Sequence, residues 1–158
     1  MDILDQFDPA TTAVLVVDMQ HAYCSPHGAA VRMGDLEKSD AECITTKFAP
    51  HLIAFLNEAR MRRFTIIHTR IFNPHNPLDS SYCEHYWPKN GEEEFRRYDA
   101  RDTIFENEGF WNWRLFGGAH IDRFIIVGVY SDACVERQAR SAKNLGYEVI
   151  VPPQLTYP

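Results

Sequence analysis

No apolar run approaches the ~20 residues of a membrane span, so no membrane partner is expected. There is no basic excess either: 16 Lys and Arg face 22 Asp and Glu, for a net charge of −6. Phosphate recognition draws on such an excess, so no nucleic-acid partner is expected. The short clusters Arg60-Met61-Arg62-Arg63 and Arg96-Arg97 read as solvated helix faces. The four cysteines, Cys24, Cys43, Cys83 and Cys134, lie far apart and form no CxxC pair. That argues against a disulfide framework or a zinc knuckle and suits free thiols in a reducing compartment. The N-terminal Met1-Asp2-Ile3-Leu4-Asp5 is acidic and lacks a signal-peptide charge pattern, so a cytoplasmic location is expected. Internal repeats and low-complexity segments are absent.

What the chain does contain is enough for a core. Its 158 residues suit one domain over 1–158, and 45% are hydrophobic and 13% aromatic. Ala13-Val14-Leu15-Val16-Val17 reads as a strand buried on both faces, and so do Phe64 to Thr69 and Arg123 to Gly128. Phe48, Leu52, Phe55, Leu56 and Ala59 recur at helical spacing and predict a helix from about Lys47 to Arg62. The Gly-, Pro- and charge-rich stretch from Ser25 to Asp40 predicts loop, and Asn73 to Arg101 a long surface excursion. A short strand at Thr103 to Phe105 and an aromatic helix at Phe110 to Phe116 precede the third long strand. Ser131 or Asp132 can cap the following helix. Val135, Ala139, Ala142 and Leu145 form its buried stripe, Gly146 ends it, and Tyr147 to Val151 is a further strand. Strands alternating with helices predict an α/β fold with a mainly parallel sheet. A covering helix usually follows the last strand, but here only Pro152 to Pro158 follow. Three readings stay open: a trimmed fold, a covering partner subunit, or a longer chain.

Ligands bind outside the carboxyl ends of strands in such sheets. The predicted strand ends bring forward Asp18, His68 with Thr69, and the turn from Gly128 to Cys134. A cysteine placed between a strand and a helix meets the unpaired N–H groups and partial positive charge of the helix start. Both favour thiolate, so a lowered pKa is expected for Cys134. An Asp and a Cys at neighbouring strand ends can act as base and nucleophile. The alternatives are a capping role for Asp18 and a packing role for Cys134.

Two runs carry a resemblance. Ala13-Val14-Leu15-Val16-Val17-Asp18-Met19-Gln20 resembles the first strand and catalytic Asp of the isochorismatase-like cysteine hydrolases. Ile125-Ile126-Val127-Gly128-Val129-Tyr130-Ser131-Asp132-Ala133-Cys134-Val135, with Ala139, Ala142 and Gly146-Tyr147-Glu148-Val149 beyond it, resembles their nucleophile segment. The strand end Ile66-Ile67-His68-Thr69-Arg70 is similar as well, and the resemblance spans about residues 11–152. It implies a Rossmann-like, three-layer α/β fold, a parallel sheet with helices on both faces. It also implies frequent homo-oligomers, no cofactor, and a small-molecule substrate with an amide, ureide or related bond. By position, Cys134 is the nucleophile and Asp18 the base. The resemblance further implies a non-proline cis peptide between Val129 and Tyr130, with the N–H groups of Tyr130 and Cys134 as the oxyanion hole. Gln20 is expected to line the pocket, with Tyr130, His68, Phe110 and Trp111 as further expected substrate contacts.

The match departs at the family's third catalytic residue, a lysine. Asp102-Thr103-Ile104-Phe105-Glu106-Asn107-Glu108-Gly109-Phe110-Trp111 contains none, and Glu106 stands closest to that slot. A glutamate beside Cys134 opposes thiolate where a lysine favours it. Arg101 or Lys89 can reach in, Glu106 can hold a cationic substrate group, or hydrolysis is lost. The nicotinamidase branch also pairs an Asp and a His two residues apart after the second strand. Here His68-Thr69-Arg70 stands there, and His75 and His85 show no ligand spacing, so no metal is expected and nicotinamide is disfavoured. Isochorismate is disfavoured too, because members that cleave it tend to lack the cysteine. The aromatic set Phe110, Trp111, Trp113, Phe116, Tyr82, Tyr86 and Trp87 reads as core packing or as a wall for a flat substrate. The expected activity is hydrolysis of a small amide or related C–N bond through a thioacyl intermediate. The rival is a catalytically silent small-molecule-binding or assembly subunit. A third reading makes Cys134 a redox sensor resolved by Cys24 or Cys83.

Overall fold

A computed structural model of the protein describes residues 3–71, 85–89, 92–96, 103–106 and 120–158, the three short internal stretches by backbone alone. Strand β1, Thr12–Val17, is buried along its whole length. Its side chains alternate between two cores: Val14 and Val16 join one, Ala13, Leu15 and Val17 the other. A strand covered on both faces has no polar side to show, which is why it reads as one apolar run.

The helical region after β1 is longer than the sequence predicts. Short helices α1, His21–Cys24, and α2, Ala29–Met33, come first, and Gly34 ends α2 in the left-handed region at φ 81°. The second of these lies in the stretch expected to be loop. Then α3, Lys38–Cys43, passes through a π-type turn at Ile44–Phe48 into α4, Ala49–Met61. The wider π turn breaks the 3.6-residue period, so the apolar spacing becomes regular only near Phe48 and hides the earlier start at Lys38. Along α4, Leu52, Leu56 and Ala59 pack on Val14, Val16, Ile66, Ile125 and Val127. Each leucine buried this way contributes about 1.5–3 kcal/mol.

Strand β2, Thr65–Arg70, follows, then a hairpin of β3, His85–Lys89, and β4, Glu92–Arg96, then β5, Thr103–Glu106. The expected aromatic helix at 110–116, with Phe110 and Trp111, lies outside the described residues, as does most of the excursion. Strand β6, Arg123–Val129, leads into a π-type turn, Ser131–Val135, and α5, Glu136–Asn144. Tyr130 is the N-cap and no side chain caps this start, because Ser131 and Asp132 are already inside the first turn. Val135 and Ala142 bury on the second core with Leu15, Val17 and Ile126. Leu145 is instead 49% exposed, at the C-cap beyond the last full turn, and Gln138 is buried. Gly146, at φ 91°, supplies the left-handed residue that stops the helix.

Strands β7, Glu148–Ile150, and β8, Thr156–Tyr157, complete the sheet. The order is β5-β2-β1-β6-β7, with β8 on β6, and every pairing is parallel. The fold is therefore α/β, with α4 on one face of the sheet and α5 on the other. From β1 the chain winds outward through β2 to β5, then returns to start β6 on β1's other side. Such a reversal is where open α/β sheets have their ligand crevice, here outside the carboxyl ends of β1 and β6.

Candidate active site

Asp18 and the turn after β6 face each other across that crevice. Asp18 follows the last residue of β1 in the left-handed region at φ 49°, which aspartate tolerates better than most side chains. It is only 1% exposed. Thr69, near the end of β2, holds it by two bonds. The Asp18 N–H donates to Thr69 Oγ1 at 3.2 Å, and the Thr69 hydroxyl donates to Asp18 Oδ1 at 2.7 Å. Gln20 ties the same two strand ends together. Its Nε2 donates to the Ile71 carbonyl at 3.1 Å and its Oε1 accepts the Ile71 N–H at 2.8 Å. The side chain is fully buried, so Gln20 braces the crevice wall from within.

Gly128 lets the other wall come close. It stands opposite Val17 in the β1–β6 ladder with φ 115°. A Cβ there would meet the Val17 carbonyl oxygen at 2.2 Å. The next peptide, Val129–Tyr130, is cis. Tyr130 turns its ring away from the crevice toward the first core, where its hydroxyl donates to the Tyr23 carbonyl at 2.6 Å. Its backbone N–H faces Cys134.

Cys134 is half-buried in the first turn after β6, and its thiol lies beside the Asp18 carboxylate. Burial, and then the adjacent Asp18 charge, push the thiol up from 9.0 to about 12. A helix start on its own favours the opposite sign, the lowered pKa expected from the sequence. The physical reason for the difference is that ionising the thiol would set a second negative charge beside a buried carboxylate. Arg137 and the Tyr130 N–H pull the other way but do not prevail. Both leading causes favour the neutral thiol.

Comparison with known proteins gives the family. The isochorismatase domain family matches residues 12–156. The chain belongs to the isochorismatase family. Among solved structures it is similar to a cysteine hydrolase from Pseudomonas syringae pv. phaseolicola, at 20% identity and a TM-score of 0.67 over 96% of this chain and 74% of that one. It is similar also to the nicotinamidase of Staphylococcus aureus, at 18% identity and a TM-score of 0.60 over 94% and 85% of the two chains. The N-carbamoylsarcosine amidase of Thermoplasma acidophilum gives 21% identity and a TM-score of 0.62 over 94% and 84%. No curated protein matches the chain. At these identities the structures show the fold, and the family is one of hydrolases acting on small molecules.

The remaining candidates of this isochorismatase-family chain separate by position. Glu106 is the last residue of β5 and stands opposite Arg70 of β2 in the parallel register. His68 lies inside β2 opposite Val16 and is 1% exposed. Its neighbour Thr69 reaches Asp18, and successive strand residues point to opposite faces, so His68 points away from Asp18. Phe110 and Trp111 lie outside the described residues. No cluster of three His, Cys, Asp or Glu side chains able to hold a metal ion occurs among the described residues. Cys24 is buried with its thiol 3.9 Å from Met19 Sδ, and burial drives its pKa far up. Such a thiol is inert, which removes the physical basis for Cys24 as a resolving cysteine. Cys83 lies outside the described residues. Thr69, brought forward with His68 at a strand end, takes a role the sequence did not assign: it holds Asp18. Its signal was available: a hydroxyl at the end of the strand adjoining the one that carries Asp18.

Proposed function

We propose that the protein hydrolyses an amide or related C–N bond of a small molecule through a thioacyl intermediate on Cys134. The observation that carries this reading is the Cys134 thiol set beside the buried Asp18 carboxylate, with the Tyr130 N–H facing the sulfur. In the first half-reaction Asp18 takes the thiol proton as Sγ bonds to the substrate carbonyl carbon. The carbonyl π electrons move to oxygen, and the N–H groups of Tyr130 and Cys134 hold that oxyanion. Collapse breaks the C–N bond, and the leaving nitrogen takes the proton from Asp18. In the second half, water attacks the thioester while Asp18 takes its proton. The acid is released and the proton returns to sulfur. Thr69 keeps the carboxylate aimed by the bonds described above.

A second reading has an observation of its own. The strand end nearest the expected lysine slot carries Glu106, and the thiol rests neutral. Both suit a silent binding subunit. Turnover separates the two. Purified protein is incubated with a panel of primary amides and ureides, and ammonia or amine release is measured. Cys134→Ala should abolish release without unfolding, since the side chain is only half-buried. Release that survives Cys134→Ala rejects the covalent mechanism; no release from any panel member by the native protein favours the silent subunit.

A further inference from the structure

The arginines of the site helix differ in what they are tied to. Arg140 pairs with Glu136 one turn back, with Nη2 at 2.6 Å from the carboxylate. Elsewhere Arg123 pairs with Glu148, Arg62 with Asp5 and Glu58, and Arg70 also has an interaction partner. Arg137 makes no hydrogen bond or ion pair among the described residues. The sequence explains why: the positions four residues away on either side are Ala133 and Ser141, neither of which is acidic. Glu136, its immediate neighbour, is taken by Arg140.

Arg137 is also three residues beyond Cys134 on one continuous helical run, Ser131–Val135 into Glu136–Asn144. Side chains three apart share a helix face, about 5–6 Å between their Cβ atoms. The guanidinium is exposed, whereas Cys134 is half-buried, so the cation stands on the solvent side of the nucleophile. Its charge is felt at the thiol. An uncommitted guanidinium is suited to bidentate recognition of a carboxylate. We infer that Arg137 is a specificity residue that binds a carboxylate on the substrate, so that the substrate class is small amides or ureides bearing an acid group. The inference rests on Cys134 being the reacting atom. Asp18 does not compete with the substrate for this guanidinium: its carboxylate lies in the buried wall, already bonded to Thr69.

The test reads recognition without needing turnover. Iodoacetate and iodoacetamide differ in one carboxylate, and each alkylates Cys134 at a rate that residue-resolved mass spectrometry reports. The ratio of the two rates is compared with the same ratio for Cys134 in the denatured chain. Folded protein should favour iodoacetate by about two- to fivefold over that reference, the size of an exposed charge pair. Arg137→Gln should remove the preference, Arg137→Lys should keep part of it, and raised salt should weaken it. Arg140→Gln, which removes a paired guanidinium, should leave the ratio unchanged. The inference is overturned if Arg137→Gln leaves the ratio unaltered, if Arg140→Gln lowers it equally, or if iodoacetate never labels Cys134. A protein that shows the preference yet hydrolyses no amide keeps the anion site and loses the amidase reading. An amidase indifferent to the carboxylate does the reverse.

Discussion

Asp18→Asn should push the reactivity of Cys134 and the turnover of the protein in opposite directions. The substitution preserves size but removes the charge and the basic oxygen. Three causes raise the Cys134 pKa from 9.0 to about 12; burial is the largest, and the other two are the Asp18 charge and its hydrogen bond. If about one of those three pKa intervals belongs to Asp18, the asparagine variant carries roughly tenfold more thiolate at any pH below the midpoint. The sign follows from the charge: taking a negative group away makes a second negative group easier to form. Iodoacetamide alkylation between about pH 8 and pH 10 tracks the thiolate fraction, so Cys134 should label about tenfold faster in the variant. Cys24 is fully buried, and its labelling rises only if the variant has opened. Over the same range turnover should fall by about 10² or more, because the proposed general base is gone. Labelling that stays level or slows in a folded variant would refute the claim that Asp18 holds the thiol neutral.

The supporting residues give three further expectations. Thr69→Val removes both bonds to Asp18 and leaves a buried N–H without its acceptor, which should cost about 1–3 kcal/mol in urea unfolding. Thr69→Ser, which keeps the hydroxyl, should recover most of it. Gly128→Ala drives a Cβ into the Val17 carbonyl at a backbone angle alanine rarely adopts, and should destabilise by about 2–4 kcal/mol, read as a lower denaturant midpoint. Glu106→Lys should raise amide turnover and lower the Cys134 pKa by about one or more if its side chain reaches the thiol. No change in either quantity would place position 106 away from the site.

The sheet was legible because burial on both faces leaves an unmistakable mark. Ala13 to Val17 and Phe124 to Val127 have no polar side, and the structure pairs them at its centre. The helices were less legible. The π turn at Ile44–Phe48 shifts the apolar phase, and α2 forms within a segment whose glycines, proline and charges signal loop. The partners Asp18 and Cys134 could be named from their places at strand ends. That they are neighbours could not, since they stand 116 positions apart in the sequence and only the β1–β6 pairing brings them together. The direction of the thiol's pKa also depended on three-dimensional fact. A helix start argues for thiolate in any sequence, but a carboxylate buried against that thiol appears only once the strands are adjacent.

The neutral resting thiol changes what the missing lysine has to explain. A lysine would matter most if the site had to store a free thiolate before substrate arrives. Here the thiol and the Asp18 carboxylate hold one proton between them, and a second negative charge in that buried space is what the folded protein disfavours. Under the proposed mechanism no second charge ever accumulates there. As the S–C bond forms, the proton passes to Asp18 and the negative charge moves through the carbonyl to oxygen, toward the Tyr130 N–H. The carboxylate becomes neutral at the moment the oxyanion appears, so the site carries one negative charge throughout, displaced by a few bonds. A cation would then speed the reaction by stabilising the displaced charge, and is not needed to create the nucleophile. On this account a glutamate at position 106 slows the chemistry if it faces the oxyanion and leaves it untouched if Arg70, opposite it in the sheet, neutralises it.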